Sequence, residues 1–136
     1  MIVVDSNVIA YCWLAGPQTV LAQRVRAADP DWHVPVLWRS ELRSVLTGYL
    51  RDGSLAQAQV LRVMGTLETA LAPTEHLVQS ESVFTVARQS NLSAYDCEFV
   101  ALALALAAPL VTADAAILKA YPQKALSMSA FLAAQT

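Results

Sequence analysis

Short apolar runs alternate along this chain with longer stretches of helical periodicity. Three β-branched residues, Ile2, Val3 and Val4, are followed at once by a carboxylate, Asp5. Such a run is typical of a buried strand, and the Asp-Ser-Asn that begins at Asp5 indicates a turn into a helix. A second apolar run ends in the same way, because Asp114 comes shortly after Leu110, Val111 and Thr112. The pattern therefore predicts two buried strands that each lead to an acid.

Helical patterns fill most of the remaining chain. The strongest apolar stripe covers residues 38–50, and Ser54 is placed to cap the next helix. The predicted helices are 8–15, 18–28, 38–50, 55–71, 80–89, 93–107, 114–120 and a terminal one from 129. Further strands are predicted at 33–35 and near 125–126. This alternation predicts an α/β fold with three layers, α/β/α, in which helices flank a short parallel sheet.

The composition is that of a single folded domain covering residues 1–136. Hydrophobic residues make up 56% and charged residues 15%, which excludes a disordered chain. The longest apolar run, from Phe99 to Val111, contains Pro109 and is shorter than the roughly 18 residues of a membrane span. No basic segment precedes the first apolar run, so a signal peptide is not expected. Cys12 and Cys97 have no metal-type spacing and are expected to be buried thiols in a reducing cytoplasm.

The net charge does not exclude a nucleic-acid partner. The formal charge is −2, from 11 acids and nine Lys and Arg. If four acids hold a metal ion, seven remain against the nine basic residues, and the rest of the surface carries +2. This balance permits a phosphate-bearing partner without requiring one.

Glu41 is an acid on an apolar helix face. It follows Trp38 by three residues and precedes Val45 by four. A lone ionised carboxylate is costly to bury unless it is paired. Arg39 and Arg43 cannot pair with it, because residues two apart on a helix do not face each other. A partner from another element is therefore expected, and the alternative is a Glu at the edge of the stripe that reaches water.

Asp5, Asp96 and Asp114 each stand near the start of a predicted helix. A capping role explains each of them alone, and Ser93 with Asp96 fits a capping box. However, Asp5 and Asp114 follow strands predicted to be neighbours, at the sheet edge where α/β folds bind ligands. Carboxylates crowded there repel one another unless a cation is present. Together with Glu41 they predict a site for a hard divalent ion, Mg²⁺ or Mn²⁺.

Such a site suits the hydrolysis of a phosphodiester bond. A bound ion lowers the pKa of a water molecule and stabilises charge on the phosphate and on the leaving oxygen. The chain has no His and Cys set for zinc, and neither His33 nor His76 shows signs of a general base. A metal-independent ribonuclease that uses the two histidines is the weaker alternative.

Four segments carry a family resemblance. They are VVDSNVIA around Asp5, WRSELRSVL around Glu41, AYDCEFVALA around Asp96, and LVTAD ending at Asp114. In this order they resemble the PIN-domain ribonucleases, and most closely the toxin half of VapBC-type bacterial toxin–antitoxin pairs. The likeness covers nearly the whole chain, and it implies a PIN-like α/β/α fold.

The resemblance also implies an activity and a set of site residues. It implies a Mg²⁺- or Mn²⁺-dependent cytoplasmic endoribonuclease with RNA as substrate, a homodimeric state, a cognate antitoxin protein as partner and no membrane association. The implied catalytic and metal-binding residues are Asp5, Glu41, Asp96 and Asp114. Asn7 and Thr112 match positions that orient ligands or waters behind these acids.

Two rival interpretations remain open. A haloacid-dehalogenase-like phosphatase also begins with an apolar strand and an Asp, but it needs a second Asp where this chain has Asn7. A catalytically inactive PIN scaffold could serve as a binding module, although all four acids are present. The aromatic residues Trp13, Trp32 and Trp38 are expected in the core or a dimer face rather than stacked on bases. The basic residues that could follow RNA phosphates, or simply be solvated, are Arg24, Arg26, Arg39, Arg43 and Arg51.

Overall fold

Five short strands form one parallel sheet at the centre of the computed structural model, which describes all 136 residues. The strands are β1 (Ile2–Val4), β2 (Trp32–Pro35), β3 (Glu75–His76), β4 (Leu110–Val111) and β5 (Ala125–Leu126). Their spatial order is β3-β2-β1-β4-β5. The central strand β1 pairs with β2 on one side and with β4 on the other. The two strands that lead to Asp5 and Asp114 are therefore neighbours, as predicted.

Helices cover both faces of this sheet. They are α1 (Ser6–Trp13), α2 (Thr19–Ala28), α3 (Trp38–Arg51), α4 (Gln57–Leu71), α5 (Ser80–Arg88), α6 (Ala94–Leu106), α7 (Ala115–Ala120) and α8 (Met128–Ala133), with a 3₁₀ turn at Ala72–Thr74. Every predicted helix is present, with ends that differ by one or two residues. None of them is long and apolar enough to cross a membrane.

The core consists of two hydrophobic clusters, one on each face of the sheet. Successive residues of a strand point to opposite faces, so Ile2 and Val4 belong to one cluster and Val3 to the other. The first cluster packs against α1 to α4 and α8, and the second against α5, α6 and α7. This arrangement confirms the predicted three-layer α/β/α fold. Cys12 and Cys97 are both buried free thiols, also as predicted.

Strand β3 was not predicted. It contains only Glu75 and His76, and neither residue belongs to an apolar run. It forms because it pairs in parallel with β2, where Val34 lies opposite Glu75 and Pro35 lies opposite His76. A two-residue polar strand carries no periodic signal, so only its partner strand defines it.

The start of α4 also differs from the prediction. Ala56 occupies the capping position, and its backbone N–H donates to the side chain of Gln59 at 2.8 Å. The predicted cap, Ser54, lies in the preceding turn, where its N–H donates to Asp52 at 2.8 Å. The Asp52-Gly53-Ser54 turn uses its polar side chains internally, and the helix begins three residues later than Ser54.

The buried stripes are narrower than the sequence pattern indicates. In α3 the buried residues are Trp38 and Leu42 together with Leu46, whereas Val45 is 39% exposed. In α2 Val20 is 70% exposed although its spacing placed it on the inner face. The sheet is only two to four residues long in each strand, so a helix packs on it over a limited length.

Candidate active site

Asp5 lies at the carboxyl end of β1 and also caps α1. Its Oδ1 accepts a hydrogen bond from the Ser6 N–H at 2.8 Å, and its Oδ2 accepts one from the Thr112 hydroxyl at 2.7 Å. The residue is 6% exposed. Burial raises the pKa of Asp5 to about 6 in spite of these two bonds, and the charges of Glu41 and Asp96 add to the increase. The capping interpretation is therefore true of Asp5, but it does not account for its electrostatics.

Thr112 and Asn7 connect the segments that follow β1 and β4. The Thr112 hydroxyl donates to Asp5 and accepts from the backbone N–H of Asp114 at 3.0 Å. The Asn7 Oδ1 accepts from the Ala113 N–H at 3.4 Å. Both side chains thus lie beside acids that the sequence pointed to. Their role in orienting ligands or waters stays a prediction.

Glu41 approaches from the first turn of α3. Its Oε1 accepts a hydrogen bond at 2.7 Å from the hydroxyl of Ser6, which follows Asp5 directly. This confirms that Glu41 has a partner from another element, while Arg39 binds Glu75 instead. Burial, followed by the charge of Asp96, raises the pKa of Glu41, and the bond from Ser6 acts in the opposite direction.

Asp96 lies in the first turn of α6. The Ser93 hydroxyl caps this helix by accepting from the Asp96 N–H at 3.1 Å, so the carboxylate itself is not the cap. Burial, followed by the charge of Asp114, raises the pKa of Asp96. Asp114 does act as a cap, because its Oδ1 accepts from the Ile117 N–H at 3.0 Å at the start of α7.

A fifth acid, Glu98, belongs to the same region and was not predicted. Burial, followed by the charge of Glu41, raises its pKa. Glu98 lies between two buried residues of α6, Cys97 and Phe99. An acid within an apolar helix segment is the signal that pointed to Glu41, and the same criterion applied to α6 would have found Glu98.

These carboxylates repel one another, and none of them takes part in an ion pair. The ion pairs of the chain involve the acids Asp29, Asp31, Glu68 and Glu75 instead. As the side chains stand, no three His, Cys, Asp or Glu residues are close enough to hold one metal ion together. The fit to a metal therefore rests on donor chemistry. Clustered carboxylate oxygens without a basic partner suit Mg²⁺ or Mn²⁺, and a cation would relieve their repulsion.

Two of the five arginines considered for RNA contact are used inside the fold. The Arg26 guanidinium lies 4.8 Å from the centre of the Trp13 ring and 5.1 Å from that of Trp32. Arg39 forms ion pairs with acids of α4 and β3. The exposed members of the set are Arg24, Arg43 and Arg51. The tryptophans pack as expected, since Trp32 and Trp38 are buried in the first core cluster and Trp13 packs against it.

The fold and the ordered acids define a class of protein. The model of the PIN domain family matches residues 2–122, and the chain belongs to this family. The chain is also 38% identical, over 116 residues, to a VapC ribonuclease of Mycobacterium bovis and to ribonuclease VapC9 of Mycobacterium tuberculosis. Each match covers 84% of this chain and 86% of the relative. The family resemblance of the sequence motifs is thereby confirmed.

Proposed function

We propose that this protein is a metal-dependent endoribonuclease of the VapC type, which hydrolyses RNA phosphodiester bonds. One observation carries the proposal. Acids from four separate segments near the carboxyl ends of β1 and β4 act on one another electrostatically, and none of them forms an ion pair. The relatives that share 38% identity are named ribonucleases, which supports RNA as the substrate.

The site residues divide into ligands and supports. The proposed ligands of a Mg²⁺ or Mn²⁺ ion, and the catalytic residues, are Asp5, Glu41, Asp96 and Asp114. When bound, such an ion supplies a water of lowered pKa and stabilises charge on the phosphate. The Ser6 hydroxyl bonds Oε1 of Glu41 and leaves its Oε2 available. The Thr112 hydroxyl fixes Asp5 against the segment after β4, and Asn7 supports that segment through the Ala113 N–H.

The biological setting is proposed from the relatives rather than from the site. We propose that the protein is the toxin of a toxin–antitoxin pair, acts in the cytoplasm, forms a homodimer and is held inactive by a cognate antitoxin. A short reading frame for a DNA-binding protein next to the gene would support the pairing. Size-exclusion chromatography with light scattering tests the dimer, and a monomer at micromolar concentration would contradict it.

The central experiment is cleavage of total RNA by the purified protein in Mg²⁺, in Mn²⁺ and in EDTA. We expect cleavage with either ion and none in EDTA. Asp5→Asn removes the charge but keeps a side chain that caps helices well, so it should fold and fail to cleave. Asp52→Asn is the matched control, since Asp52 lies in the exposed turn before α4, and it should cleave like the parent.

Three outcomes would overturn the proposal. Cleavage that persists in EDTA would exclude a metal-dependent reaction. RNA binding without cleavage in any ion would favour a scaffold that serves as a binding module. Release of phosphate from small monoesters, with RNA left intact, would favour a phosphatase.

A further inference from the structure

The two histidines of this protein are hydrogen-bonded to each other at the edge of the sheet, away from the acid cluster. The Nδ1 of His33 in β2 lies 2.9 Å from the Nε2 of His76 in β3. The other ring nitrogen of His33, Nε2, lies 3.0 Å from Oδ1 of Asp31. The His33 side chain is 15% exposed and that of Asp31 is 54% exposed. Three titratable groups are thus connected in series from solvent to the partly buried edge strand.

The short distance between the two rings restricts their protonation. Two ring nitrogens 2.9 Å apart form a hydrogen bond only when one of them carries a proton and the other does not. The carboxylate of Asp31 accepts a hydrogen bond from the Nε2–H of His33. His33 Nδ1 then accepts from His76 when the His33 ring is neutral, or donates to it when that ring is protonated. The hydrogen bond between the two rings therefore remains when the rings share one positive charge. A second proton places two donors face to face and removes the bond.

The bond between the two imidazoles differs in kind from the other contacts between β3 and β2, which are backbone and hydroxyl hydrogen bonds. In the backbone ladder, Val34 lies opposite Glu75 and Pro35 lies opposite His76. The backbone N–H of Val36 donates to the carbonyl of His76 at 2.9 Å. At the start of β3 the Thr74 hydroxyl donates to the carbonyl of Trp32. Neither of these groups titrates, so only the imidazole pair makes the attachment of β3 depend on pH.

The residue next to His76 links β3 to the helix that carries Glu41. Glu75 accepts from Trp38 Nε1 at 2.6 Å and from Arg39 Nε at 2.7 Å. Burial alone raises the pKa of Glu75, but the hydrogen bonds from Arg39 and Trp38 outweigh it and lower the pKa. Glu75 therefore stays ionised around neutral pH, and it does not compete with the histidines as a switch.

The other charged and titratable groups on elements packed against β2 and β3 make no bond to either ring. Near Asp31, the terminal amino group of Met1 lies 3.8 Å from its Oδ2 and 2.8 Å from Asp29. The groups on α4 and α6 are Arg62, Glu68, Tyr95, Asp96, Cys97 and Glu98. Glu68 is paired with Arg39, and the α6 groups are confined to its first two turns. Asp31 is the acid that accepts from the imidazole pair.

We propose that Asp31, His33 and His76 form a pH-sensitive clasp, which holds β3 on β2 near neutral pH and releases it when both imidazoles are protonated. Release frees the peptide around His76 and, through Glu75, loosens the first turn of α3. The clasp lies outside the acid site, and it does not depend on the proposed nuclease activity.

The direction of the effect follows from linkage. Burial, followed by the charge of His33, lowers the pKa of His76. A histidine whose pKa is lower in the folded state binds a proton more readily in the unfolded chain, so its contribution to stability is complete above the ordinary pKa. That contribution is lost as the pH falls toward the lowered value. The clasp is closed at neutral pH and opens in mild acid.

Nitrogen NMR of the imidazole rings tests the clasp directly, because the chain contains only two histidines. We expect a hydrogen-bonded ring proton that is present near neutral pH and disappears in mild acid. Hydrogen exchange of the His76 and Val36 amides, expressed as protection relative to the unfolded chain, reports the release. Between about pH 7.5 and about pH 5 the protection should fall severalfold, because histidines titrate in this range.

His76→Gln provides the matched variant. A glutamine amide can donate to His33 Nδ1 but does not titrate in this range, so β3 should remain attached and its protection should no longer depend on pH. His76→Ala should show low protection at all pH values. A hydrogen-bonded ring proton that persists in mild acid, or a parental pH dependence that persists in His76→Gln, would overturn the proposal.

Discussion

Carboxylates lie in two contrasting environments in this molecule. Glu75 at β3 is paired with a cation, whereas the acids at the end of β1 are not. Glu75 is matched by Arg39 and Trp38, and these hydrogen bonds lower its pKa. Asp5 is more deeply buried than Glu75, has only uncharged donors and more acids nearby, and burial raises its pKa to about 6. The chain has basic residues available and uses one at β3. The acid site at the end of β1 is left without one.

Helix α3 contains both environments within its first turn. Arg39 turns toward α4 and β3, whereas Glu41, two residues further on, turns toward Ser6 of α1. Residues two apart on a helix point in different directions, so the same turn supports an ion pair and a separate acid site. A mutation on one side of the turn should therefore change stability, and a mutation on the other side should change activity.

The largest expected effect is the loss of RNA cleavage when Glu41 is neutralised. Neutralising Glu75, in the other environment, provides the comparison. Glu41→Gln keeps an oxygen that can accept from Ser6 but removes the charge. It should lower the rate of RNA cleavage about a thousandfold, which exceeds the loss of about ten- to a hundredfold typical for residues that only orient metal ligands. Glu75→Gln should leave the rate within a factor of about three. Initial rates on one RNA substrate, at saturating Mn²⁺, measure both. Equal losses in the two variants would remove the distinction between the environments.

A second prediction concerns stability without metal. Because the pKa of Asp5 is raised from 3.8 to about 6, the folded state holds this proton to a higher pH than the unfolded chain does. The free energy of unfolding should therefore fall as the pH rises from about 4 to about 6, by about 3 kcal/mol at most. The raised pKa values of Glu41 and Asp96 add to the fall.

Urea unfolding of the parent and of Asp5→Asn in EDTA, at each pH, isolates this contribution. The variant should show a flatter profile, and the difference between the two proteins should close as the pH falls. Adding Mn²⁺ at about a hundred times its dissociation constant should stabilise the parent by about 2.7 kcal/mol at neutral pH. Parallel profiles for the two proteins would mean that Asp5 ionises in the fold as it does in water.

The sequence was sufficient to predict the layers and the pairing of the two strands that lead to Asp5 and Asp114. Val4 ends a short apolar run, Val111 ends the short apolar segment after Pro109, and an acid follows each. Parallel strands of this kind must lie side by side under cover of helices. The sequence predicted that Glu41 needs a partner but not which residue provides it. The angle at which α3 packs on α1 decides which side chain Glu41 contacts. The partner, the hydroxyl of Ser6, looked like part of a turn.

The elements that were missed share a physical cause. Strand β3 consists of two polar residues, Glu75 and His76, whose interactions come from β2 and α3. The imidazole contact joins residues 43 positions apart and leaves no trace in local spacing. Glu98 is the exception, because it had a local signal as an acid between the apolar residues Cys97 and Phe99. Long-range polar pairing is set by the fold and not by periodicity.

The third prediction breaks the matched environment. Arg39→Met keeps the aliphatic stem and removes the charged hydrogen bonds to Glu75 and Glu68. The partly buried Glu75 is then left without its cation, which should reduce the free energy of unfolding by about 2 kcal/mol. Cleavage by the folded fraction should change little. Thermal unfolding and the cleavage rate, measured on the same preparation, separate the two effects, and an unchanged melting temperature would show that the ion pairs are not stabilising.

The smallest effect distinguishes repulsion from capping at the start of α6. Since the Ser93 hydroxyl provides the cap, Ser93→Ala should cost about 1 kcal/mol. Asp96→Asn removes a charge that repels those of Asp5 and Asp114. In EDTA at neutral pH, the variant should therefore be as stable as the parent or more stable by up to about 1 kcal/mol. With Mn²⁺ present the order of stability should reverse, because the ion binds the parent more tightly than the variant, which lacks the Asp96 carboxylate. If Asp96→Asn is instead as unstable as Ser93→Ala in EDTA, the Asp96 carboxylate stabilises the helix rather than forming part of the site. The group of acids would then lack the residue that connects Asp5 and Glu41 to Asp114.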